Sequence, residues 1–233
     1  MNIVVVGTAG SGKSTFTLNF SGYLRRKGYS VETVNLDPAS PPIYETEWDI
    51  RNFVRAEEIM EEFNLGINGA LLKSVEIAQQ YITDLIPDAE YVIVDTPGQM
   101  ELFLYSDFGE RVVENLKGFS ACIFIVDSTR VSTPENFISI IAQSAVVSLR
   151  LSVPTLTVLN KCDIAEIPDL NEVKGRVGEE EGVLAELMEK LLEFIEYTTL
   201  PYRPIRMSSL TSEGFDDVFS ALNELFCACG DIS

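Results

Sequence analysis

The residues best suited to chemistry begin at a glycine-rich segment that carries Lys13 and Ser14. The segment GTAGSGKS (residues 7–14) matches the pattern G-x-x-x-x-G-K-S, follows an apolar run and precedes a segment with helical spacing. Its glycines allow successive backbone N–H groups to turn inward onto a phosphate, and the positive end of the following helix adds to that attraction. We expect Lys13 to reach the β- and γ-phosphates of a nucleotide and the Ser14 hydroxyl to ligate Mg²⁺. The predicted nucleotide-binding residues of this loop are Gly7, Thr8, Ala9, Gly10, Ser11, Gly12, Lys13, Ser14 and Thr15.

A second segment, YVIVDTPGQ (residues 91–99), places Asp95 at the end of an apolar run. A carboxylate at the carboxyl end of a strand can hold Mg²⁺ directly or through water. In the loop that follows, we expect the Gly98 N–H to contact the γ-phosphate and Gln99 to orient a water molecule. An Asp-x-x-Gly sequence alone predicts only a turn, and the phosphate loop upstream favours the catalytic role.

The segment NLDPA (residues 35–39) ends the second apolar run, so we expect Asp37 at the same edge of the sheet as Lys13 and Asp95. A carboxylate there can position or deprotonate the attacking water, or help to hold the metal. An Asp-Pro pair that merely starts a turn is the structural alternative. The predicted catalytic residues of this edge are Lys13, Asp37 and Gln99, and the predicted metal residues are Ser14, Asp37 and Asp95.

The four residues NKCD (160–163) follow another apolar run. The Asp163 carboxylate can accept hydrogen bonds from the ring N–H and the exocyclic amine of guanine. Adenine lacks that donor pair, and a buried carboxylate left unpaired costs on the order of several kcal/mol. We expect the Lys161 stem to cover the base and Asn160 to tie this loop to the phosphate loop. After the last predicted strand, the predicted backbone contacts to the base come from Ser208, Ser209 and Leu210.

Short apolar runs that alternate with amphipathic segments must position these residues. The predicted strands are residues 3–6, 31–36, 91–95, 121–127, 154–160 and 204–209. Several are apolar at nearly every position, as buried parallel strands are. The alternation predicts an α/β protein with a doubly wound, mainly parallel sheet, the P-loop NTPase fold, carrying helical insertions. Ligands of such sheets bind at the carboxyl ends of the strands.

The chain is expected to form a single domain over residues 1–233, with helical insertions at about 50–86 and 164–200. The first insertion has two segments whose apolar residues recur every three or four positions, as in a helix. They are Phe53, Ala56, Ile59, Met60 and Phe63, and Leu71, Val75, Ala78, Ile82 and Leu85. The second has a broad apolar face formed by Leu184, Leu187, Met188, Leu191, Leu192 and Ile195. That face either packs within the protein or meets a partner.

Composition narrows the classes of partner. The net charge is −19, which repels phosphate backbones and anionic lipid heads, so we expect neither general nucleic-acid binding nor membrane binding. No apolar run approaches the roughly 20 residues that span a bilayer, and no signal peptide is visible. With 4 cysteines and no histidine, the Cys227-x-Cys229 pair gives no support for a zinc site. These features predict a cytoplasmic location.

Taken together, these motifs resemble the GPN-loop GTPases, a group within the dimeric (SIMIBI) class of P-loop nucleotide hydrolases. The resemblance covers about residues 1–226 and includes the phosphate loop, NLDPA, WDIRNFV, LGINGALL, DTPGQMELF and NKCD. It implies a dimer whose nucleotide sites face the interface, with the Gly-Pro-Asn loop entering the partner's site. Gly66 and Asn68 match that loop, whereas Ile67 replaces its proline. Asn68 is accordingly a predicted catalytic residue that acts across the interface.

The segment around Asn68 also has a local interpretation. Gly66 is expected to stop one helix, and Asn68 to cap the next. The chain looks most like the archaeal members of the family, which are expected to pair with themselves. Eukaryotic relatives are linked to RNA polymerase assembly, so the resemblance implies a role in assembling a larger complex.

The sequence therefore predicts a Mg²⁺-dependent GTPase that converts GTP to GDP and phosphate and acts as a homodimeric switch for an unidentified protein client. Two alternatives remain open. One is a scaffold or metallochaperone-like factor that binds GTP with little hydrolysis. The other is a small-molecule kinase with the same phosphate loop, which the NKCD segment disfavours.

Overall fold

Seven parallel strands form one sheet in the part of the chain that the structure, a computed structural model, describes: residues 1–165, 167, 170–178, 182–197 and 204–230. The strands are β1 (Asn2–Val6), β2 (Val31–Asn35), β3 (Trp48–Asp49), β4 (Tyr91–Asp95), β5 (Ser120–Asp127), β6 (Thr155–Asn160) and β7 (Ile205–Arg206). Their order is β3-β2-β4-β1-β5-β6-β7, and each neighbouring pair is parallel. The predicted doubly wound parallel sheet is confirmed.

Helices cover both faces of this sheet. They are α1 (Lys13–Arg26), α2 (Ala56–Phe63), α3 (Ile67–Ala78), α4 (Ile82–Leu85), α5 (Met100–Leu104), α6 (Asp107–Asn115), α7 (Pro134–Leu151), α8 (Leu170–Val177), α9 (Val183–Tyr197) and α10 (Phe215–Gly230). Short 3₁₀ helices lie at Ile50–Asn52, Gln79–Tyr81 and Ser128–Arg130. Within the described residues, no helix combines the length and the apolar composition that crossing a bilayer requires.

The alternation of side chains along β1 divides the core into two layers. Ile3 and Val5 pack into an apolar cluster with residues of α1 and α10. Val4 and Val6 pack into a second cluster on the opposite face, with residues of α5, α6 and α7. Because successive side chains of a strand point to opposite faces, a sheet covered by helices on both sides needs apolar residues at every position. The uninterrupted apolar run of β1 therefore places the phosphate loop at the carboxyl end of a buried central strand.

Two strand predictions require correction. The segment 204–209 was expected to be one strand, but only Ile205–Arg206 pairs with β6. The Met207 N–H still donates to the Leu159 carbonyl oxygen of β6, but the Ser208 N–H donates to the Glu213 carbonyl oxygen, so the chain leaves the sheet at Ser208. The sequence also gave no indication of β3, since Trp48–Asp49 is too short to produce an alternating pattern.

One helix prediction also requires correction, and the apolar face of α9 is buried only in part. Phe53 follows the Ile50–Asn52 3₁₀ turn and precedes α2, so it does not share the helix of Ile59. Along α9, the residues buried by the core are Ala185, Met188 and Leu192, whereas Leu184 and Leu187 are exposed. The apolar side of α9 is broader than the stripe that its packing requires.

Candidate functional site

The phosphate loop joins β1 to α1 through a backbone path that only glycine permits. A Cβ atom on Gly7 would lie 2.3 Å from the Ile125 carbonyl oxygen of the adjacent strand β5. Gly12 has a φ of +101°, and a Cβ there would lie 2.3 Å from the Asn160 amide nitrogen. Both glycines are therefore required by close approach, and Gly12 also by its left-handed conformation. The loop consequently presents its backbone, with few side chains, at the N-terminus of α1.

Lys13 lies over the loop and is almost fully buried. Its ammonium group donates hydrogen bonds to the carbonyl oxygens of Gly7, at 2.9 Å, and Thr8, at 3.4 Å. Burial lowers the pKa of Lys13, and the negative charges of Asp95 and Asp37 act in the opposite direction. A buried ammonium held this way can attract and neutralise a phosphate oxygen that enters the loop.

Asp95 ends β4 as predicted and has one unsatisfied oxygen. The residue is 2% exposed, and its Oδ2 accepts a hydrogen bond from the Tyr44 hydroxyl at 3.1 Å. Its Oδ1 is buried and has no hydrogen-bond partner within the described residues. Burial raises the pKa of Asp95 to about 6, although the Ser14 hydroxyl, Lys13 and Tyr44 lower it. An orphaned carboxylate oxygen near a serine hydroxyl fits a hard cation such as Mg²⁺, which prefers oxygen ligands.

Asp37 approaches the loop that follows Asp95. Its Oδ1 accepts a hydrogen bond from the Ala39 N–H at 2.9 Å, and its Oδ2 accepts one from the Gly98 N–H at 3.2 Å. The pairing of Asn35 with Asp95 in adjacent strands brings the two carboxylates to one edge of the sheet. The Gly98 N–H that was expected to contact a phosphate is thus already bonded to Asp37. A phosphate oxygen and Asp37 would compete for this donor.

Gln99 comes directly after this donor. It occupies the N-cap position of α5 in an extended conformation, its side chain makes no capping hydrogen bond, and it is exposed. The structure therefore places Gln99 at the rim of the site, outside the buried cluster that contains Lys13 and Asp95.

A cavity adjoins the phosphate loop at Gly12 and Thr15. Its volume is about 210 Å³. The lining residues are Gly12, Thr15, Asn160, Lys161, Asp163, Ile164, Ser208, Ser209 and Leu210. Nearly all of them come from the three segments that the sequence assigned to the phosphate loop and to base recognition. The fold thus brings these three separate segments into one cavity.

The Asn160 side chain holds the cavity together. Its amide nitrogen donates to the Ser11 carbonyl oxygen at 2.7 Å, and its amide oxygen accepts from the Ser209 N–H at 2.8 Å. Both bonds are buried, so each contributes more than an exposed one. This amide thus links the phosphate loop, the end of β6 and the loop after β7.

Lys161 forms an ion pair that the sequence analysis missed. Its ammonium lies 2.6 Å from Oδ2 of Asp127, while Thr129 donates two hydrogen bonds to the other carboxylate oxygen. Burial opposes ionisation of Asp127, yet the bonds from Lys161 and Thr129 lower its pKa. Lys161 also has a positive φ of +67°, which turns the chain sharply toward exposed Asp163.

The sequence analysis missed Asp127 and Tyr44, and only the first of them has a recognisable sequence pattern. Asp127 ends the apolar run ACIFIVD just as Asp95 ends YVIVD, so the sequence did offer a signal for a carboxylate at the same sheet edge. Tyr44 lies in an irregular loop between β2 and β3, where no periodicity marks it. Only the folded chain brings Tyr44 to Asp95.

The segment around Asn68 differs from the local prediction. α2 ends at Phe63, and Asn64 adopts the left-handed conformation that terminates it, so Gly66 does not stop this helix. Gly66 instead occupies the N-cap of α3, which makes Asn68 the second helical residue rather than its cap. Asn68 is exposed, and no hydrogen bond among the described residues links its side chain to the phosphate loop.

Comparison with known proteins adds independent information. The sequence profile of the family described as "Conserved hypothetical ATP binding protein" matches residues 5–228. A GPN-loop GTPase of Pyrococcus abyssi is 33% identical over 100% of both chains. GPN-loop GTPase 1 of Schizosaccharomyces pombe is 29% identical, over 94% of this chain and 67% of the relative.

A solved structure extends the agreement to the fold. The crystal structure of a GTPase in apo form from Pyrococcus abyssi superposes with a TM-score of 0.88 at 32% identity, covering 98% of each chain. Given these matches along nearly its whole length, the chain belongs to the GPN-loop GTPase family.

Proposed function

We propose that this protein is a Mg²⁺-dependent GTP hydrolase that converts GTP to GDP and phosphate. The observation that carries the proposal is the buried Asn160 amide, which joins the phosphate loop at Ser11 to the base-side loop at Ser209. One nucleotide can therefore contact both loops at once. Membership of the GPN-loop GTPase family supports the hydrolytic activity.

Guanine occupies the cavity of about 210 Å³ beside the phosphate loop. Asp163 accepts hydrogen bonds from the base edge, and the stem of Lys161 covers the base face. The backbone of Ser208, Ser209 and Leu210 closes the opposite side of the base. A base without guanine's donor pair leaves the Asp163 carboxylate unpaired, which is the physical source of discrimination.

The phosphate groups lie against the backbone of residues 7–15, with Lys13 on the β- and γ-phosphates. Ser14 and Asp95 hold the metal, with Asp37 close by. When bound, Mg²⁺ neutralises charge on the phosphate oxygens. The orphaned Oδ1 of Asp95 and the oxygen-only character of these side chains support this assignment.

Asp37 and Gln99 handle the attacking water. In this structure Asp37 accepts the Gly98 N–H at 3.2 Å. A γ-phosphate that takes this N–H releases one oxygen of Asp37, which can then orient a water or accept its proton. Gln99, adjacent to Gly98 and exposed, is free to turn toward the same water.

The active form is a homodimer joined through the nucleotide face, in which Asn68 of each subunit completes the site of the other. Exposed apolar side chains around Asn68 support this arrangement, because a contiguous apolar surface marks an interaction site. They are Phe63, Leu65, Ile67 and Leu72. Nucleotide-driven changes at this interface act as a switch in the assembly of a larger complex such as RNA polymerase.

We further propose that residues 1–233 form one domain and that the protein resides in the cytoplasm. The free thiols of Cys122, Cys162 and Cys227 support a reducing compartment. The acidic surface supports the absence of general nucleic-acid or membrane partners.

Phosphate release by the purified protein without any acceptor tests the function. We expect release from GTP in Mg²⁺, little release from ATP, and loss of activity in EDTA. Lys13→Ala is the matched control, because it removes the phosphate-binding ammonium while leaving the base cavity intact. Equal release from GTP and ATP would contradict guanine recognition, and unchanged release in EDTA would contradict the metal requirement.

A further inference from the structure

The second half of the loop between β2 and β3, residues 40–47, buries one side chain beneath the site. Residues 40–47 are otherwise exposed or half-buried, and Ile43 is 57% exposed, yet Tyr44 is only 7% exposed. The Tyr44 ring therefore anchors this loop against the carboxyl end of β4. Nothing in the packing of the loop alone requires a polar tip on that ring.

The Tyr44 hydroxyl distinguishes the two oxygens of Asp95. It donates to Oδ2 at 3.1 Å, whereas Oδ1 is buried without a partner in the described part of the chain. The Tyr44 hydroxyl is the donor in this bond, because an ionised carboxylate can only accept. The χ2 torsion of an aspartate is intrinsically broad. A hydrogen bond to one oxygen therefore fixes which oxygen remains available.

We propose that Tyr44 is a positioning residue that holds the Asp95 carboxylate with Oδ1 free for the metal. The inference rests on the proposed role of Asp95 in binding Mg²⁺. A hydrogen bond to the second oxygen of a ligating carboxylate orients the ligand, and loss of such a partner typically weakens metal affinity about 10–100-fold. Tyr44 also connects the Asp37 loop to the metal side of the site.

Metal binding without turnover tests this role. Mn²⁺ replaces Mg²⁺ as the probe, and electron paramagnetic resonance measures free Mn²⁺ with a non-hydrolysable GTP analogue bound. The variants are Tyr44→Phe, which keeps the ring, and Asp95→Asn. Tyr23→Phe is the matched control, because Tyr23 also donates to a carboxylate, that of Asp216, away from the site. Affinity for the analogue in EDTA and the melting temperature are measured for each variant.

For Tyr44→Phe we expect about ten-fold weaker Mn²⁺ binding, with analogue affinity in EDTA within about two-fold of the wild type. Tyr23→Phe should match the wild type in both measurements. Suppose that Tyr44→Phe binds Mn²⁺ within about two-fold of the wild type while Asp95→Asn binds it weakly. That result would overturn the positioning role of Tyr44 and leave the metal role of Asp95 standing. If Tyr44→Phe weakened analogue binding in EDTA as much as it weakened Mn²⁺ binding, the positioning role would also be overturned, since the Tyr44 contact would then be purely structural. Unchanged Mn²⁺ binding by Asp95→Asn would instead refute the metal role of Asp95.

Discussion

At the scale of single residues, similar aspartates at strand ends acquire different properties from their neighbours. Asp95 is buried, one of its oxygens has no hydrogen-bond partner in the described part of the chain, and burial raises its pKa to about 6. Asp127 is also desolvated, but Lys161 and Thr129 supply hydrogen bonds and its pKa falls. The first arrangement leaves an oxygen available for a cation, and the second uses all of its oxygens within the chain. An aspartate at the end of an apolar run thus predicts a carboxylate at the edge of the sheet. Its hydrogen-bond partners determine whether it can bind a cation or stabilises the chain.

The base specificity of Asp163 gives the first prediction. Asp163→Asn exchanges a hydrogen-bond acceptor for an amide, which can donate to the 2-carbonyl of xanthine. We expect GTP affinity to fall at least about 100-fold while affinity for xanthosine triphosphate rises. Competition between the two triphosphates for the purified variant measures this change. An unaltered preference for GTP would contradict the assignment of Asp163.

The Asp127–Lys161 pair gives a second prediction, on stability. Asp127→Asn should lower the free energy of unfolding by about 1–2 kcal/mol at neutral pH, because the charged hydrogen bonds weaken. The lowered pKa of Asp127 means that its stabilising effect is present above the ordinary aspartate value and lost as pH falls through the folded value. The difference between wild type and variant should hold above about pH 5 and shrink below about pH 4.

Urea unfolding of the nucleotide-free protein at several pH values measures this difference. Glu76→Gln is the matched control, because Glu76 pairs with Lys73 on the surface at 2.9 Å. Exposed pairs contribute little, so the control should change stability by less than about 0.5 kcal/mol. A difference for Asp127→Asn that widens in acid would refute the role given to the ion pair.

At the scale of elements, the junction between α2 and α3 explains how the family's proline can be absent. Ile67 is the first helical residue of α3, a position whose N–H lacks a partner within the helix and where proline is favoured. The preceding Gly66 has φ −71° and ψ 166°, the extended conformation that a following proline requires. The backbone therefore already has the shape that proline would impose. Isoleucine supplies instead an apolar side chain that is 51% exposed.

Ile67→Pro should accordingly be tolerated. We expect its free energy of unfolding to exceed that of Ile67→Ala by about 0.4–1 kcal/mol, because proline restricts the unfolded chain without straining the folded one. Ile67→Ala is the appropriate comparison, since both variants lose most of the isoleucine side chain. Denaturant titration of both variants measures the difference. A proline variant less stable than the alanine variant would show that the junction has another conformation.

The elements also show which parts of the fold the sequence could predict. Buried parallel strands leave long apolar runs, so the sheet and the aspartate at the end of β4 were predictable. The two-residue strand β3 and the early end of α2 depend on tertiary contacts and on the left-handed Asn64, which leave no periodic pattern. Tyr44 was unpredictable for the same reason, since its role depends on a strand 51 residues away in the chain.

At the scale of the whole molecule, the proposed site is incomplete in one chain. Lys13, Asp37 and Asp95 meet at one edge of the sheet, whereas Asn68 projects from an exposed helix start. The net charge of −19 opposes association of two copies at long range, so the interface needs close apolar contacts to overcome it. In the proposed dimer, the exposed apolar side chains beside Asn68 would supply these contacts.

Mixed dimers test this arrangement. Lys13→Ala and Asn68→Ala subunits should each be nearly inactive alone in GTP hydrolysis. In a hybrid dimer, the subunit with intact Lys13 receives Asn68 from its partner, which restores one of two sites. Random exchange at equal concentrations should then recover about a quarter of wild-type activity, because about half of the dimers are hybrids.

Differently tagged subunits establish whether hybrids form. Leu149→Ala, at an exposed position on α7 away from Asn68, is a control that should not alter the recovery. If tagged hybrids are isolated and hydrolyse GTP no faster than either parent, Asn68 does not act across the interface.

The strand order places β1, and the phosphate loop that follows it, between two groups of strands. β2 and β4 lead to the groups assigned to the metal and the water, whereas β6 and β7 lead to those assigned to the base. Because the two groups share no strand, changes in one need not propagate to the other. Base preference and hydrolysis rate can therefore evolve independently in such proteins, and an engineer could retarget the base while retaining the rate at which the switch resets.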